Sequence, residues 1–281
     1  MPACQLILIE GVPGSGKTTL ATAVRDLLAA DGVPTRLVLE GDLEHPADFE
    51  MVAHYPRSAF NDLLTRHPEA RAALTTHGEI IGDDCFVPYR RIALKDGQAL
   101  TDELFAELAA RDVYETQSHA TYCRLALERW ARFVETARVA PEVVILESCF
   151  LQNPLTVLLA RHNVEPHVAT LHLKRLAAAV APLTPLLVYL WQADTRATLE
   201  QVARERPTEW LNYVIGYVTG QAWGRATGAR GFDGMVAFYE MRKALELQTL
   251  PELGIAGLAV ENADKSAGLT AVAAYFAERG R

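Results

Sequence analysis

Lysine is scarce in this chain, supplying 5 of the 27 basic residues against 22 for arginine. Basic residues as a class are also outnumbered, by 35 acidic ones, for a net charge of −8. A protein that coats a duplex or an anionic membrane needs a cationic surplus, so nucleic acid and membrane are excluded as partners. The arginine skew, alongside abundant alanine, fits a GC-rich genome better than arginine chemistry. Cysteine is sparse too: Cys4, Cys85, Cys123 and Cys149 are scattered, with no C-x-x-C and no close Cys/His pair. That spacing argues against a disulfide framework or structural zinc and fits a reducing cytoplasm. Long apolar runs are missing. The most apolar stretch, 176–191, is broken by Pro182, Thr184 and Pro185, so it reads as a helix end, a turn and a buried strand. The opening MPACQLILIEG has no basic region and too short an apolar run for a signal peptide. A soluble, cytoplasmic protein is expected.

The 281 residues are 50% hydrophobic and 22% charged, which is globular composition, and the length allows one large domain or two smaller ones. Short apolar runs alternate with helical patterns, which predicts parallel β/α architecture. Strands are expected at Gln5–Ile9, Thr35–Leu39, Glu142–Leu146, Pro185–Trp191 and Gly254–Val260, as continuous apolar runs covered on both faces. A first helix carries Leu20, Val24, Leu27 and Leu28 at helical spacing, then stops at Gly32 and Pro34. About residues 45–140 are too many for one crossover and read as an inserted, mostly helical substrate-binding region. The expectation is a single domain, 1–281, with a three-layer phosphate-loop core, five parallel strands, this insertion and a lid at about 196–234.

Gly11-Val12-Pro13-Gly14-Ser15-Gly16-Lys17-Thr18 matches G-x-x-x-x-G-K-[ST] between a predicted strand and a predicted helix. Glycines let backbone amides curl around a polyphosphate at a helix N-terminus, where the dipole favours the anion. The expected nucleotide-binding set is Gly11, Pro13, Gly14, Ser15, Gly16, Lys17, Thr18 and Thr19. Lys17, read as an exposed cation that supports no core, would reach the terminal phosphates, and Thr18 would ligate Mg²⁺. The third strand ends in Glu147, placed to hold the same Mg²⁺ directly or through water. The cofactors expected are therefore ATP or GTP with Mg²⁺.

GTPase switch motifs are missing, since Glu147 is followed by Ser-Cys-Phe and Asn262 by Ala-Asp-Lys. After the fourth strand, Ala193 to Pro207 reads as an amphipathic helix ending in Arg204 and Arg206, and it resembles the lid of nucleoside and nucleotide kinases. There guanidinium forks would neutralise the transferring phosphoryl group. Residues 117–125 (QSHATYCRL) and 147–153 (ESCFLQN) resemble the deoxyribonucleoside kinase family, within the thymidylate-kinase-like group. The resemblance implies Gln117 on the acceptor's base, Arg124 by its hydroxyl, Glu147 at Mg²⁺ and Asn153 at a base-reading position. It also makes Glu40 the general base, although Glu40-Gly41-Asp42 leaves that role open between Glu40 and Asp42. Ser148 stands where the family has Arg, so a phosphate contact is missing or comes from Arg204 or Arg206.

One helix is read through this region, with Tyr122, Leu125, Ala126, Trp130, Phe133 and Ala137 on its apolar face and Gln117, Arg124 and Glu128 opposite. Asp83-Asp84 and Arg90-Arg91 read as surface charge. Trp191, Trp210 and Trp223 read as core or lid packing, and His45-Pro46 with Asp48 as shaping a substrate loop. Gly220–Gly234 reads as a mobile loop. The expected activity is transfer of a γ-phosphate to a hydroxyl of a small molecule, best a nucleoside or nucleoside-like antibiotic. A nucleotide kinase and a nucleotide-binding regulatory module without acceptor are the alternatives, and the oligomeric state, monomer or homodimer, stays open.

Overall fold

The computed structural model describes residues 4–96, 100–264 and 266–279. In chain order the elements are β1 (Leu6–Gly11), α1 (Lys17–Ala30), β2 (Thr35–Val38), β3 (Val52–Pro56), α2 (Arg57–Arg66), α3 (Arg71–His77), β4 (Glu79–Ile81), β5 (Asp84–Pro88), α4 (Tyr89–Lys95), α5 (Asp102–Ala109), α6 (Val113–Thr116) and α7 (His119–Ala137). There follow β6 (Val143–Glu147), α8 (Gln152–Leu155), α9 (Pro166–Val180), β7 (Leu186–Trp191), α10 (Thr195–Glu205), α11 (Thr208–Gly220), α12 (Ala222–Thr227), α13 (Gly231–Thr249), β8 (Ala256–Glu261) and α14 (Ala267–Arg279). After α8 the helix continues with π winding over Thr156–Arg161. The chain forms two compact units, Met1–Glu40 with Leu127–Arg281, and Gly41–Ala126.

The first unit is α/β, with a five-stranded, all-parallel sheet in the order β2-β6-β1-β7-β8. All five predicted strands are present, with ends moved by one or two residues. Central β1 is buried along its whole length, whereas the edge strands β2 and β8 are partly exposed. On one face, Ile7, Ile9, Ile145 and Val188 pack with Leu20, Val24 and Leu28 of α1 and Val272 and Phe276 of α14. Each such side chain stabilises the fold by about 1.5–3 kcal/mol. Side chains alternate along a strand, so Leu6, Leu8 and Glu10 face the other way, and Glu10 is 0% exposed.

The second unit holds a three-stranded antiparallel sheet, β3-β5-β4, among helices α2 to α6. Its core includes Tyr55, Phe60, Leu63, Leu74, Val87 and Ile92. The inserted region is mostly helical, as read, and it also carries this small sheet, which the sequence reading did not include. Its strands are three to five residues long, and β4 and β5 are joined by the two-residue turn Gly82-Asp83, a hairpin signal.

Two further expectations are corrected. Gly220–Gly234 is not a loop, because α12 and the start of α13 occupy most of it. Glycine here serves close packing, since a Cβ on Gly224 would fall on the backbone of Thr219. Gln117 does not share a helix with Arg124: it is extended (φ −75°, ψ 155°) and precedes α7, which begins at His119. The expected apolar face of α7 is buried as read, at Tyr122, Leu125, Ala126, Trp130, Phe133 and Ala137. Among the described residues, no helix is long and apolar enough to cross a membrane.

Candidate active site

The glycine-rich turn between β1 and α1 folds back on itself. Ser15 N–H donates to the Val12 carbonyl at 3.1 Å. Lys17 is only 7% exposed, correcting its reading as an exposed cation, and its Nζ donates to the carbonyls of Gly11 (3.1 Å) and Val12 (3.3 Å). Gly14 takes a left-handed φ of 81°, and a Cβ there would fall on Val202 Cγ2 of α10, so α10 packs directly on the turn. On the far side Asn262, 2% exposed at the end of β8, braces it. Its Nδ2 donates to the Ser15 carbonyl at 2.8 Å, and its Oδ1 accepts from Gly268 N–H.

A cavity of about 590 Å³ opens on this turn, within the roughly 300–1,000 Å³ of ordinary ligand sites. Pro13, Gly14, Gly16, Lys17, Thr18 and Thr19 form one wall, while Gly11 and Ser15 lie outside the lining. Glu147 and Glu40 also line it, as do Gln152, Arg206 and the apolar or aromatic Leu39, Trp210, Tyr213 and Tyr239. Thr18 Oγ1 donates to Glu147 Oε1 at 2.7 Å. Glu147 is 3% exposed, and its Oε2 is buried without a hydrogen-bond partner. Burial raises the Glu147 carboxyl above its ordinary value, against the Thr18 hydrogen bond and the Lys17 charge. A hydroxyl and a carboxylate, one of whose oxygens is buried without a hydrogen-bond partner, fit a small divalent cation. No group of three or more His, Cys, Asp or Glu suited to a metal occurs among the described residues. A cation here would therefore take its remaining ligands from a bound anion and water, as Mg²⁺ does with phosphates.

The other candidates are distributed as follows. Glu40 Oε1 accepts from Gln152 Nε2 at 2.9 Å. Asp42 lies in the second unit, where its carboxylate accepts the Glu44 N–H at 2.9 Å. Arg206 lies over the Trp210 ring at 5.7 Å. Arg204 is outside the lining and donates to Gln201 at 2.8 Å. Asn153 sits half-buried in α8 and does not line the cavity, whereas its neighbour Gln152 does. In the second unit Gln117 is half-buried, and Arg124 reaches both oxygens of Asp84 (2.9 and 3.3 Å), which also bonds His54 Nε2 at 2.5 Å. Burial raises the Asp84 carboxyl and the hydrogen bonds to Arg124 and His54 lower it; the Arg124 bond dominates and the net shift is downward. Asp48 is buried and accepts from the Tyr114 hydroxyl and the Phe49 N–H, a structural role.

Beneath the turn lies a buried polar network that the linear sequence does not reveal. Glu10 pairs in register with Tyr189 across β1 and β7. The Tyr189 hydroxyl donates to Glu246 Oε2 at 2.5 Å, and Glu246 Oε1 lies 3.1 Å from Arg242 Nε one turn back on α13. Arg242 is 1% exposed and reaches the Gly11 carbonyl (3.5 Å) and Thr156 Oγ1 (3.2 Å). Removing one partner of a buried pair leaves the other charge uncompensated, at about 3–5 kcal/mol. Arg242→Met is expected to cost that much in urea unfolding. Arg242→Met with Glu246→Leu should recover most of it, and equal losses in both variants would contradict the pairing.

Glu10 itself is pushed up to about 7 by burial, against the N–H donors of Gln152 and Phe150. The unfolded group ionises near its ordinary 4.5, so between about 4.5 and 7 the folded chain binds the additional proton. Stability from this group is fully present at the low end and is lost as pH rises through that window. Glu10→Gln is expected to flatten the slope of unfolding free energy over this range. An unchanged slope would show that Glu10 ionises as it does in the unfolded chain.

Comparison with protein-family models and with curated proteins finds no match for this chain.

Proposed function

We propose that the protein is a phosphotransferase that moves the γ-phosphate of ATP or GTP to a hydroxyl of a small molecule, working with Mg²⁺ in a cytoplasmic setting. The observation that carries this reading is the convergence of Lys17, Thr18 and Glu147 with Glu40 and Arg206 on one cavity. The turn's amides and the α1 N-terminus suit a triphosphate, and Lys17 would exchange its two carbonyl partners for terminal phosphate oxygens. Thr18 and Glu147 would hold Mg²⁺, which supplies charge neutralisation at the phosphates. Glu40 would take the acceptor's hydroxyl proton as the new O–P bond forms and the bond to the bridging oxygen breaks, releasing the nucleoside diphosphate. Arg206 would be the lid arginine that meets the phosphoryl oxygens, since it lines the cavity and Arg204 does not. The sequence resemblance favours a nucleoside or nucleoside-like antibiotic as acceptor. Trp210, Tyr213 and Tyr239 give the cavity ring faces that suit such a molecule.

The test is to incubate the protein with Mg²⁺ and γ-labelled ATP or GTP against a panel of nucleosides and nucleoside antibiotics, following label in the acceptor. Labelled acceptor supports the reading. Phosphate release with no labelled acceptor in any reaction would favour a nucleotide-dependent regulatory module instead.

A further inference from the structure

Glu40 is an exposed side chain just beyond the end of β2, and an unrestrained glutamate there would sample several rotamers. Its partner is Gln152, whose Nε2 donates to Glu40 Oε1 at 2.9 Å, and both residues line the cavity. Gln152 is itself anchored. Its backbone N–H donates to Glu10 Oε2 at 2.9 Å, and the Phe150 N–H donates to Glu10 Oε1 at 2.6 Å. Glu10 is fully buried at the end of β1, so its carboxylate fastens the turn after β6 to the strand that leads into the glycine turn. The turn is otherwise demanding, because Ser148 takes a left-handed φ of 65°.

We infer that Gln152 is a positioning residue. Its side-chain amide holds the Glu40 carboxylate toward the acceptor, and Glu10 fixes Gln152 from below. This rests on the proposed role of Glu40 as proton acceptor. Three elements then act in series, from β1 through the β6–α8 turn to the end of β2. The amide donor is neutral, so it orients the carboxylate without adding a cation beside it. A hydrogen bond to a charged group is worth enough that losing it should slow turnover about 10- to 100-fold.

The test uses the full chain and the variants Gln152→Leu, Gln152→Asn, Glu40→Ala and Gln152→Leu with Glu40→Ala. The first readout needs no acceptor: the Gln152 side-chain amide resonances, seen by nitrogen-15 NMR, should move in Glu40→Ala. Unmoved resonances overturn the proposal. The second readout is turnover of Mg·ATP with the nucleoside panel. Gln152→Leu should lower kcat about 10- to 100-fold with the KM for ATP unchanged. Gln152→Asn, one methylene too short, should lose as much. In the Glu40→Ala background Gln152→Leu should cost nothing further, because it acts only through Glu40. Additive losses, or a wild-type Gln152→Leu beside a crippled Glu40→Ala, overturn the positioning role alone. Wild-type turnover in Glu40→Ala would instead remove Glu40 as the base, and with it the reading on which this inference rests.

Discussion

Replacing Lys17 by alanine is expected to lower phosphoryl transfer by about 10³-fold or more, the scale of losing a preorganised charge at the transferring group. The ammonium is held against the Gly11 and Val12 carbonyls, and Lys17 lines the cavity where the terminal phosphates would lie. Lys17 is buried but belongs to no apolar cluster, so the fold should persist. The loss of two hydrogen bonds should cost only about 1–3 kcal/mol. Turnover measured beside a urea unfolding curve separates the two effects. Full activity in a folded Lys17→Ala variant would contradict the assignment of the turn.

Glu40→Gln should fall by roughly 10²- to 10⁴-fold in kcat, the usual contribution of a general base, with nucleotide affinity unchanged. The amide keeps the shape of the carboxylate and removes its capacity to take a proton. Asp42→Asn should do far less. The two acids were indistinguishable in the linear sequence, but Glu40 lines the cavity and bonds Gln152, whereas Asp42 caps the turn at Glu44. Parallel kinetics on the two variants decide between them. A crippled Asp42→Asn beside an active Glu40→Gln would move the base by two residues.

The parallel sheet was legible because most of its strands are short apolar runs bounded by turn residues, and that signal is local. The antiparallel sheet of the second unit was not, since β3, β4 and β5 are three to five residues long and include Glu79, His54 and Asp84. Their pairing depends on partners far along the chain. The glycine turn with Lys17 and Thr18 could be read because spacing alone encodes it, and Glu147 because it ends an apolar strand. Glu10 was hidden by its apolar neighbours in LILIEG, although a carboxylate inside such a strand was the available clue. Arg242 and Glu246 carried a similar signal, an i,i+4 pair of opposite charges in one helix. That they gather beneath Gly11 follows only from the fold. Gln152 stood inside the stretch that carried the family resemblance, but the resemblance pointed to its neighbour Asn153. The cavity lining and the tertiary hydrogen bond to Glu40 single out Gln152. Glycine density misled at 220–234, where Gly224 permits close packing rather than motion.

Calorimetric titration of the protein with a non-hydrolysable ATP analogue and Mg²⁺ tests the central claim most directly, because it needs no knowledge of the acceptor. One binding site per chain is expected in the wild type, weakened strongly by Lys17→Ala and made less dependent on Mg²⁺ by Glu147→Gln. Absence of binding to the wild-type protein, for both the adenine and the guanine analogue, would contradict the account.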